Sequence, residues 1–349
     1  MADQREGGIA WTEQTWNPVR GCTRISEGCR NCYAEVVAGR FSDKGLAYEG
    51  LAKRTAAGPR WTGVLQVVDK HMSDPIRWRR PRRIFVNSMS DLFHEKLEFE
   101  VIARVFAVMY LSPHHTFQVL TKRADRMRDF LNHPRTYAAV LNAAREFRAQ
   151  WPALQGIGIS DPTRFPHRNV WLGVSVEDQK AAEKRIPALL GTPAAVRWLS
   201  VEPQIGAVDL RPWLTWERFV ATTEASGQWS IDTARKPLDW VVIGGESGDA
   251  PRPFHVEWAR ELIAQCQGAG TKVFMKQLGA RPTVGYYDDE FELFFEEKGW
   301  EWPAPVGWSE VDGQPGLDAR VDLRRGRKSD DLEAWPPSLR VREYPEARR

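Results

Sequence analysis

The sequence predicts an α/β protein whose core is a full or partial (βα) barrel of the TIM type, with six to seven parallel strands, helical insertions and a C-terminal extension. Three observations predict it. Short apolar runs of four to six residues recur along the chain, separated by polar loops. The runs are apolar at odd and even positions alike, as in a parallel strand covered on both faces. Between them the apolar spacing changes to the i, i+3, i+4 rhythm of a helix, and strands alternating with helices make βαβ units. An open doubly wound sheet is the alternative assembly of the same units.

An N-terminal strand falls within residues 8–19, just ahead of a cysteine-rich loop. Further strands are expected at 83–87 (RIFVN), 116–120 (TFQVL), 170–174 (VWLGV), 196–201 (VRWLSV), 240–243 (WVVI) and 272–275 (KVFM). A helix over 99–111 carries Phe99, Ile102, Val105, Phe106 and Met109 on one stripe. Another over 256–267 carries Trp258, Leu262, Ile263 and Cys266, with Gly268 and Gly270 as its stop. Residues 134–168 and 210–237 read as insertions, the second holding Trp213, Trp216 and Trp229 in a polar context. Past about residue 281 the rhythm ends. Residues 1–280 then form the barrel and 281–349 an extension packed on it, its last twenty residues expected to fray.

With 349 residues, 42% of them hydrophobic, the chain can bury a large core, and disorder is excluded for most of it. Lys and Arg number 49 against 46 Asp and Glu, a net charge of +3. That balance excludes a histone-like polycation but leaves room for a local basic patch. No stretch approaches the roughly 18 apolar residues of a membrane span, and the opening residues carry no apolar export signal. Of the four cysteines, three lie within eleven residues, too few and too clustered for a disulfide framework. They point to ligand or catalytic chemistry in a reducing cytoplasm.

The cluster reads Asn17-Pro18-Val19-Arg20-Gly21-Cys22, then Gly28-Cys29-Arg30-Asn31-Cys32-Tyr33-Ala34, a C-x6-C-x2-C spacing. A C-x2-C pair directs two thiolates to one centre, and a third from the preceding loop completes a three-sided cradle. Three thiolates on a 4Fe-4S cluster leave one iron open for a substrate or cofactor. Zinc is the competitor, but a closed site needs a fourth Cys or His, and the earliest histidine is His71. Cys266, on an apolar helix stripe, reads as core.

This loop resembles the cluster loop of radical S-adenosylmethionine (radical SAM) enzymes, especially the spore photoproduct lyase branch. The chain is also similar to a bacteriophage three-Cys-motif family of unknown function, over most of its length up to about residue 281. Two departures stand out: the usual spacing is C-x3-C-x2-C, and the commonly aromatic position before the last Cys is Asn31, with Tyr33 following.

In a parallel barrel, residues just past each strand's C-terminal end share one rim. Here those positions give Ser88-Met89-Ser90-Asp91, Thr121-Lys122-Arg123, Ser175-Val176-Glu177, Glu202-Pro203, Gly244-Gly245-Glu246 and Lys276-Gln277. Six polar rim segments in succession point to a polar site. The resemblance implies that Ser88 or Ser90, Lys122 and Ser175 bind the carboxylate and ribose of S-adenosylmethionine. It further implies that Asp91 anchors the loop or the amino group, with Tyr33 and Glu177 in the same cofactor site. Gly244, Gly245 and Glu246 serve cofactor or substrate, or form a tight βα turn in which glycine supplies positive φ. Glu202 is either a substrate ligand or the partner of Arg197 or Arg252. Glu202 and Glu246 are thus the candidate catalytic carboxylates beside Cys22, Cys29 and Cys32.

Residues 77–83 place Arg77, Arg79, Arg80, Arg82 and Arg83 around Trp78, a pattern suited to phosphates and base stacking, or to a solvated charged loop. A second basic run spans 324–328, and His114-His115 follows Pro113 in a turn. Together with the resemblance, these features lead to the expectation of a cytoplasmic radical SAM-type enzyme. Its cofactors would be a 4Fe-4S cluster and S-adenosylmethionine, its substrate a nucleic acid or nucleotide, and its reductant a reductase or flavodoxin-like donor. The alternative is a nucleic-acid-binding protein with a structural iron–sulfur or zinc site.

Overall fold

The computed structural model describes residues 8–154, 167–215, 238–248, 250–285, 288–298, 305–311, 314–320 and 332–345. Its centre is a seven-stranded parallel sheet: β1 (Gln14–Trp16), β2 (Arg83–Val86), β3 (Thr116–Thr121), β4 (Val170–Ser175), β5 (Val196–Val201), β6 (Trp240–Gly244) and β7 (Lys272–Gln277). Spatial order follows chain order from β1 to β7 without reversal. A doubly wound sheet reverses direction at a switch point, so this is the partial barrel. Each expected strand is present within one or two residues of its expected ends. All six residues of β4 are buried, which is why period-two alternation is missing from its sequence.

Helices cover the outer face. α1 (Tyr33–Arg40) follows the cysteines, α2 (Phe99–Tyr110) and α3 (Ala124–Asn132) follow β2 and β3, and α4 (Thr136–Gln150) fills the start of the expected insertion. α5 (Gln179–Leu190) links β4 to β5, and α6 (Val256–Gly268) precedes β7. α2 buries Ile102, Val105, Phe106 and Met109, each contributing about 1.5–3 kcal/mol. The Asp178 carboxylate caps α5 by accepting from the Ala181 amide at 2.8 Å, which fixes the turn carrying Glu177. Cys266 is fully buried in α6, a core residue as expected.

The inner face changes character along the strands. Near the N-terminal ends Trp11, Phe85, Trp171, Trp198, Trp240 and Phe274 form one aromatic plug, Trp11 lying 4.8 Å from Phe85 and 5.1 Å from Trp198. Gly173 makes room for it: a Cβ there would meet the Trp198 indole at 2.5 Å. Side chains alternate across a sheet, so the same parity runs on from Trp171 to Ser175 and Glu177, and from Trp198 to Ser200 and Glu202. The plug thus gives way to polar groups at the C-terminal ends, with Ser175 and Ser200 side by side in register.

Among the described residues β1 and β7 do not pair, and residues 341–344 cover the exposed edge of β7. The Met275 amide donates to the Val341 carbonyl, and the Glu343 amide to the Val273 carbonyl, both at 2.8 Å. The Trp240 indole donates to the Glu343 carbonyl at 2.8 Å, Tyr344 reaches the Ala10 carbonyl, and the Arg83 guanidinium lies 4.1 Å over the Tyr344 ring. Trp335 and Leu339 are fully buried. Residues 335–345 are therefore not frayed, because β7 offers them an unpaired edge. Between α6 and this strap, Pro282–Gly285, Gln314–Arg320 and Pro305–Val311 extend a small sheet begun by Phe254–His255. Trp216, Trp229 and the basic run at 324–328 lie outside the described residues.

Candidate functional site

The three cysteines sit on the loop above the C-terminal ends of the strands. Backbone holds the loop there: the Gly21 amide donates to the Met89 carbonyl at 3.2 Å, and the Ser90 hydroxyl to the Val19 carbonyl at 2.9 Å. Asn17 adds a third tie, its Oδ1 accepting from the Met89 amide at 3.0 Å and the Ser88 hydroxyl at 3.2 Å. The Tyr33 hydroxyl donates to the Ser88 carbonyl at 2.7 Å. Ser88, Ser90 and Tyr33, expected at a cofactor, therefore position the cysteine loop with their polar groups.

Arg123 clamps the first cysteine. Its Nη1 lies 3.9 Å from Cys22 Sγ, its Nη2 donates to Thr23 Oγ1 at 2.8 Å, and its Nε to Glu95 at 2.7 Å. Asp91 orients that guanidinium at 3.0 Å and also accepts from Thr121 Oγ1, the Lys122 amide and the Phe93 amide. Asp91 thus ties the start of its own turn to Thr121, Lys122 and Arg123 at the end of β3. His94 is buried beside Thr23: the Lys96 amide donates to its Nδ1, so Nε2 carries the proton and donates to Thr23 Oγ1 at 2.9 Å.

The far side of the loop is tied to the last strands. Asn31 Nδ2 donates to Glu246 Oε2 at 2.9 Å. Arg252 holds the same carboxylate through its Nη2 at 2.6 Å and Nε at 3.0 Å, and donates to the Glu27 carbonyl at 2.9 Å. Both Glu246 oxygens are thus engaged, and the side chain is a latch for the cysteine loop. The two glycines before it do not adopt positive φ. Gly245 is required for a different reason: a Cβ there would lie 2.3 Å from the Leu278 carbonyl oxygen.

Polar groups remain on the inner wall. Lys122 donates to the Ser175 hydroxyl and stands 3.6 Å from Glu177. Glu177 is paired at 2.6 Å with Arg185 and lies directly beneath Gly28 of the cysteine loop. Burial raises its pKa, but Lys122 and Arg185 outweigh that and hold it down at about 2. Glu202 pairs with Lys276 and accepts from Gln277 Nε2 at 3.1 Å. Neither Arg197 nor Arg252, its expected partners, reaches it: Arg197 donates to the Thr192 carbonyl and Arg252 serves Glu246.

Burial pushes the Cys22 thiol up to about 12, reinforced by Asp91 and Cys32 and opposed by Arg123; burial likewise raises Cys32. Three soft sulfur donors on one loop are the donor type that a thiolate-bound metal group takes. Among the described residues, no group of three or more His, Cys, Asp or Glu side chains is arranged to hold a metal ion. An iron–sulfur cluster takes one thiolate per iron, so its ligands need a shared cradle rather than a shared point. Beside the loop lies a cavity of about 500 Å³ lined by Arg24, Ser26, Glu27 and Arg30.

The arginine segment lies elsewhere. It leads into β2, at the end of the sheet opposite the cysteines. Arg77 is paired with Asp74, and Arg82 covers one face of the Trp78 ring at 5.5 Å while His115 makes a T-shaped contact with the same ring. Arg79 and Arg80 are exposed. His114 and His115 contact the Trp78 and Pro75 carbonyls.

Sequence reasoning missed Asn17, Asn31, Arg123 and Arg252 as positioning residues. Their signal was proximity in sequence to the motifs: Asn17, Asn31 and Arg123 lie within them, and Arg252, weighed only as a partner for Glu202, lies six residues after Glu246.

Fold and rim together define a partial-barrel α/β protein with a three-cysteine loop over its strand ends. The chain belongs to the family DUF5131, described as a protein of unknown function, which it matches over residues 6–329. No curated protein and no solved structure matches it. No helix among the described residues is long and apolar enough to cross a membrane.

Proposed function

We propose that the protein is a radical SAM-type enzyme that holds a 4Fe-4S cluster through Cys22, Cys29 and Cys32 and acts on a nucleic acid or nucleotide. The observation that carries this reading is the position of three half-buried thiols over the polar mouth of a parallel partial barrel. Held by these three thiolates, such a cluster would supply the one-electron reductive cleavage of S-adenosylmethionine to methionine and a 5′-deoxyadenosyl radical, the electron coming from a reductase or flavodoxin-like donor. The chain's own residues bind and orient. Lys122 and Ser175 suit the carboxylate and ribose hydroxyls of the cofactor. Glu202, steered by Lys276 and Gln277, is the carboxylate placed to meet substrate. Arg123 and the Asn31–Glu246–Arg252 latch keep the loop in register, and the aromatic plug excludes water from below. Arg79 and Arg80 can touch only a polymer long enough to reach the other end of the sheet.

Anaerobic reconstitution tests the reading. About four irons per chain, lost in the C22A/C29A/C32A variant, and 5′-deoxyadenosine formed with dithionite are expected. One zinc per chain and no iron would overturn it in favour of a structural metal site.

A further inference from the structure

β3 ends in two neighbouring cations that serve different partners. Lys122 reaches Ser175 on the inner wall, while Arg123 meets the cysteine loop at Cys22. The Arg123 side chain is nine-tenths buried, and every nitrogen of its guanidinium is engaged. Nε serves Glu95, Nη2 serves Thr23, and Nη1 is shared between Asp91 at 3.0 Å and Cys22 Sγ at 3.9 Å. Burial works against the charge, but Asp91, Cys22 and Glu95 outweigh burial and raise the pKa, so the group is a fixed cation. Among the described residues no other cysteine has a charged donor within hydrogen-bond reach of its sulfur. Cys29 has the neutral Ser26 hydroxyl, at 3.9 Å.

Two carboxylates share this guanidinium with the sulfur, and they differ. Asp91 is buried and spreads its charge over the Thr121 hydroxyl and the Lys122 and Phe93 amides as well. Glu95 stands at the surface, its side chain 56% exposed, and draws the opposite edge of the guanidinium. Its charge can therefore be removed without opening the core.

A thiolate that accepts a charged hydrogen bond gives less electron density to its metal, and a fixed cation nearby steadies an added electron. Both effects raise a reduction potential, and both are larger in a buried site than in water. We propose that Arg123 draws electron density from the Cys22 thiolate and so raises the reduction potential of a metal group bound there, with Glu95 holding that effect in check. Arg123 acts through Cys22 and is a positioning residue. The inference rests on the function proposed above and adds what sets the ease of reduction at that same site. A clamp with no electronic role behaves differently: its loss lowers the iron content and leaves the potential of the remaining cluster where it was.

The test is a potentiometric titration of the reconstituted protein, followed by visible absorption and electron paramagnetic resonance, in wild type, R123Q, R123K and E95Q. The midpoint should move to more negative potential in R123Q and to less negative potential in E95Q, with R123K between R123Q and wild type. Equal midpoints, or shifts of one sign in R123Q and E95Q, would overturn the inference. E95Q changes an exposed side chain, so an unmoved midpoint there overturns it even where R123Q does not fold. A chain that takes up no iron defeats the proposed function alone, and cobalt(II) bound to the cysteines then gives the reading. Its thiolate-to-cobalt charge-transfer band should move to longer wavelength in R123Q and to shorter wavelength in E95Q. A band unmoved in both, or a chain that binds no cobalt, would overturn the inference as well.

Discussion

Asn31 and Glu246, 215 positions apart in sequence, are joined at 2.9 Å by a single amide–carboxylate hydrogen bond. The bond ties the residue between the second and third cysteines to the loop after β6, and Arg252 doubles it by holding Glu246 and the Glu27 carbonyl together. Removing a partner from a buried pair leaves a charge without compensation, at a cost of about 3–5 kcal/mol. Glu246→Ala should therefore lower stability in urea by about that much and leave the cysteines more open to alkylating reagents. Asn31→Ala, which leaves the ion pair intact, should cost only about 1 kcal/mol while opening the cysteines similarly.

Gly245 is confined by its neighbours rather than by its own backbone angles. Gly245→Ala would drive a methyl group into the Leu278 carbonyl and should cost about 1–3 kcal/mol or more, read as a lower melting temperature. Gly268, at the end of α6, has nothing within 4 Å of its missing Cβ. Gly268→Ala should be neutral or stabilising by about 0.4–1 kcal/mol. A chain equally tolerant at both positions would contradict the close approach of the β6 and β7 loops.

Acid sensitivity should centre on Glu177. Its folded pKa of about 2 lies below the ordinary carboxylate value, so the stabilisation is complete above that ordinary value and disappears as pH falls toward 2. The difference amounts to on the order of 3 kcal/mol. Urea titrations from pH 6 to pH 2.5 should show a steep decline in wild type and a shallower one in Glu177→Gln, which is already weakened at pH 6.

Lys122 stands at the mouth with one hydroxyl and one carboxylate for company. Lys122→Met keeps the stem that packs against the wall and removes the charge. The fold should survive, with circular dichroism unchanged, while S-adenosylmethionine affinity measured by calorimetry drops about ten- to a hundredfold. Undiminished affinity would move the cofactor's carboxylate away from this lysine.

Much of the fold was legible because parallel strands buried on both faces lose period two and appear as dense apolar runs. VRWLSV is β5 to the residue. The short elements between Ala52 and Arg77 were not legible, since two-residue strands and four-residue helices have no period to detect. At the rim, residue types were readable but partnerships were not. Glu202 had several cations in the sequence to choose from, and only the geometry of the strand ends, with Gly244 of β6 lying between Glu202 and β7, selects Lys276 over Arg252. The Gly-Gly-Glu triplet shows a different limit. Glycine serves positive φ and close approach equally well, and these two leave the same letter in the sequence. The tryptophans were readable only as surplus; four of them turn out to be the floor of the barrel.

The strap at residues 341–345 has a bearing on how the protein is made. β7 and the seam beside it stay uncovered until residues 341–345, more than sixty positions further along the sequence, have left the ribosome. During that interval the growing molecule offers a bare sheet edge to its neighbours, the kind of template on which chains pair wrongly. The order of synthesis thus makes residues 341–345 a closing stitch, and a message interrupted before them would release a product with its seam still open.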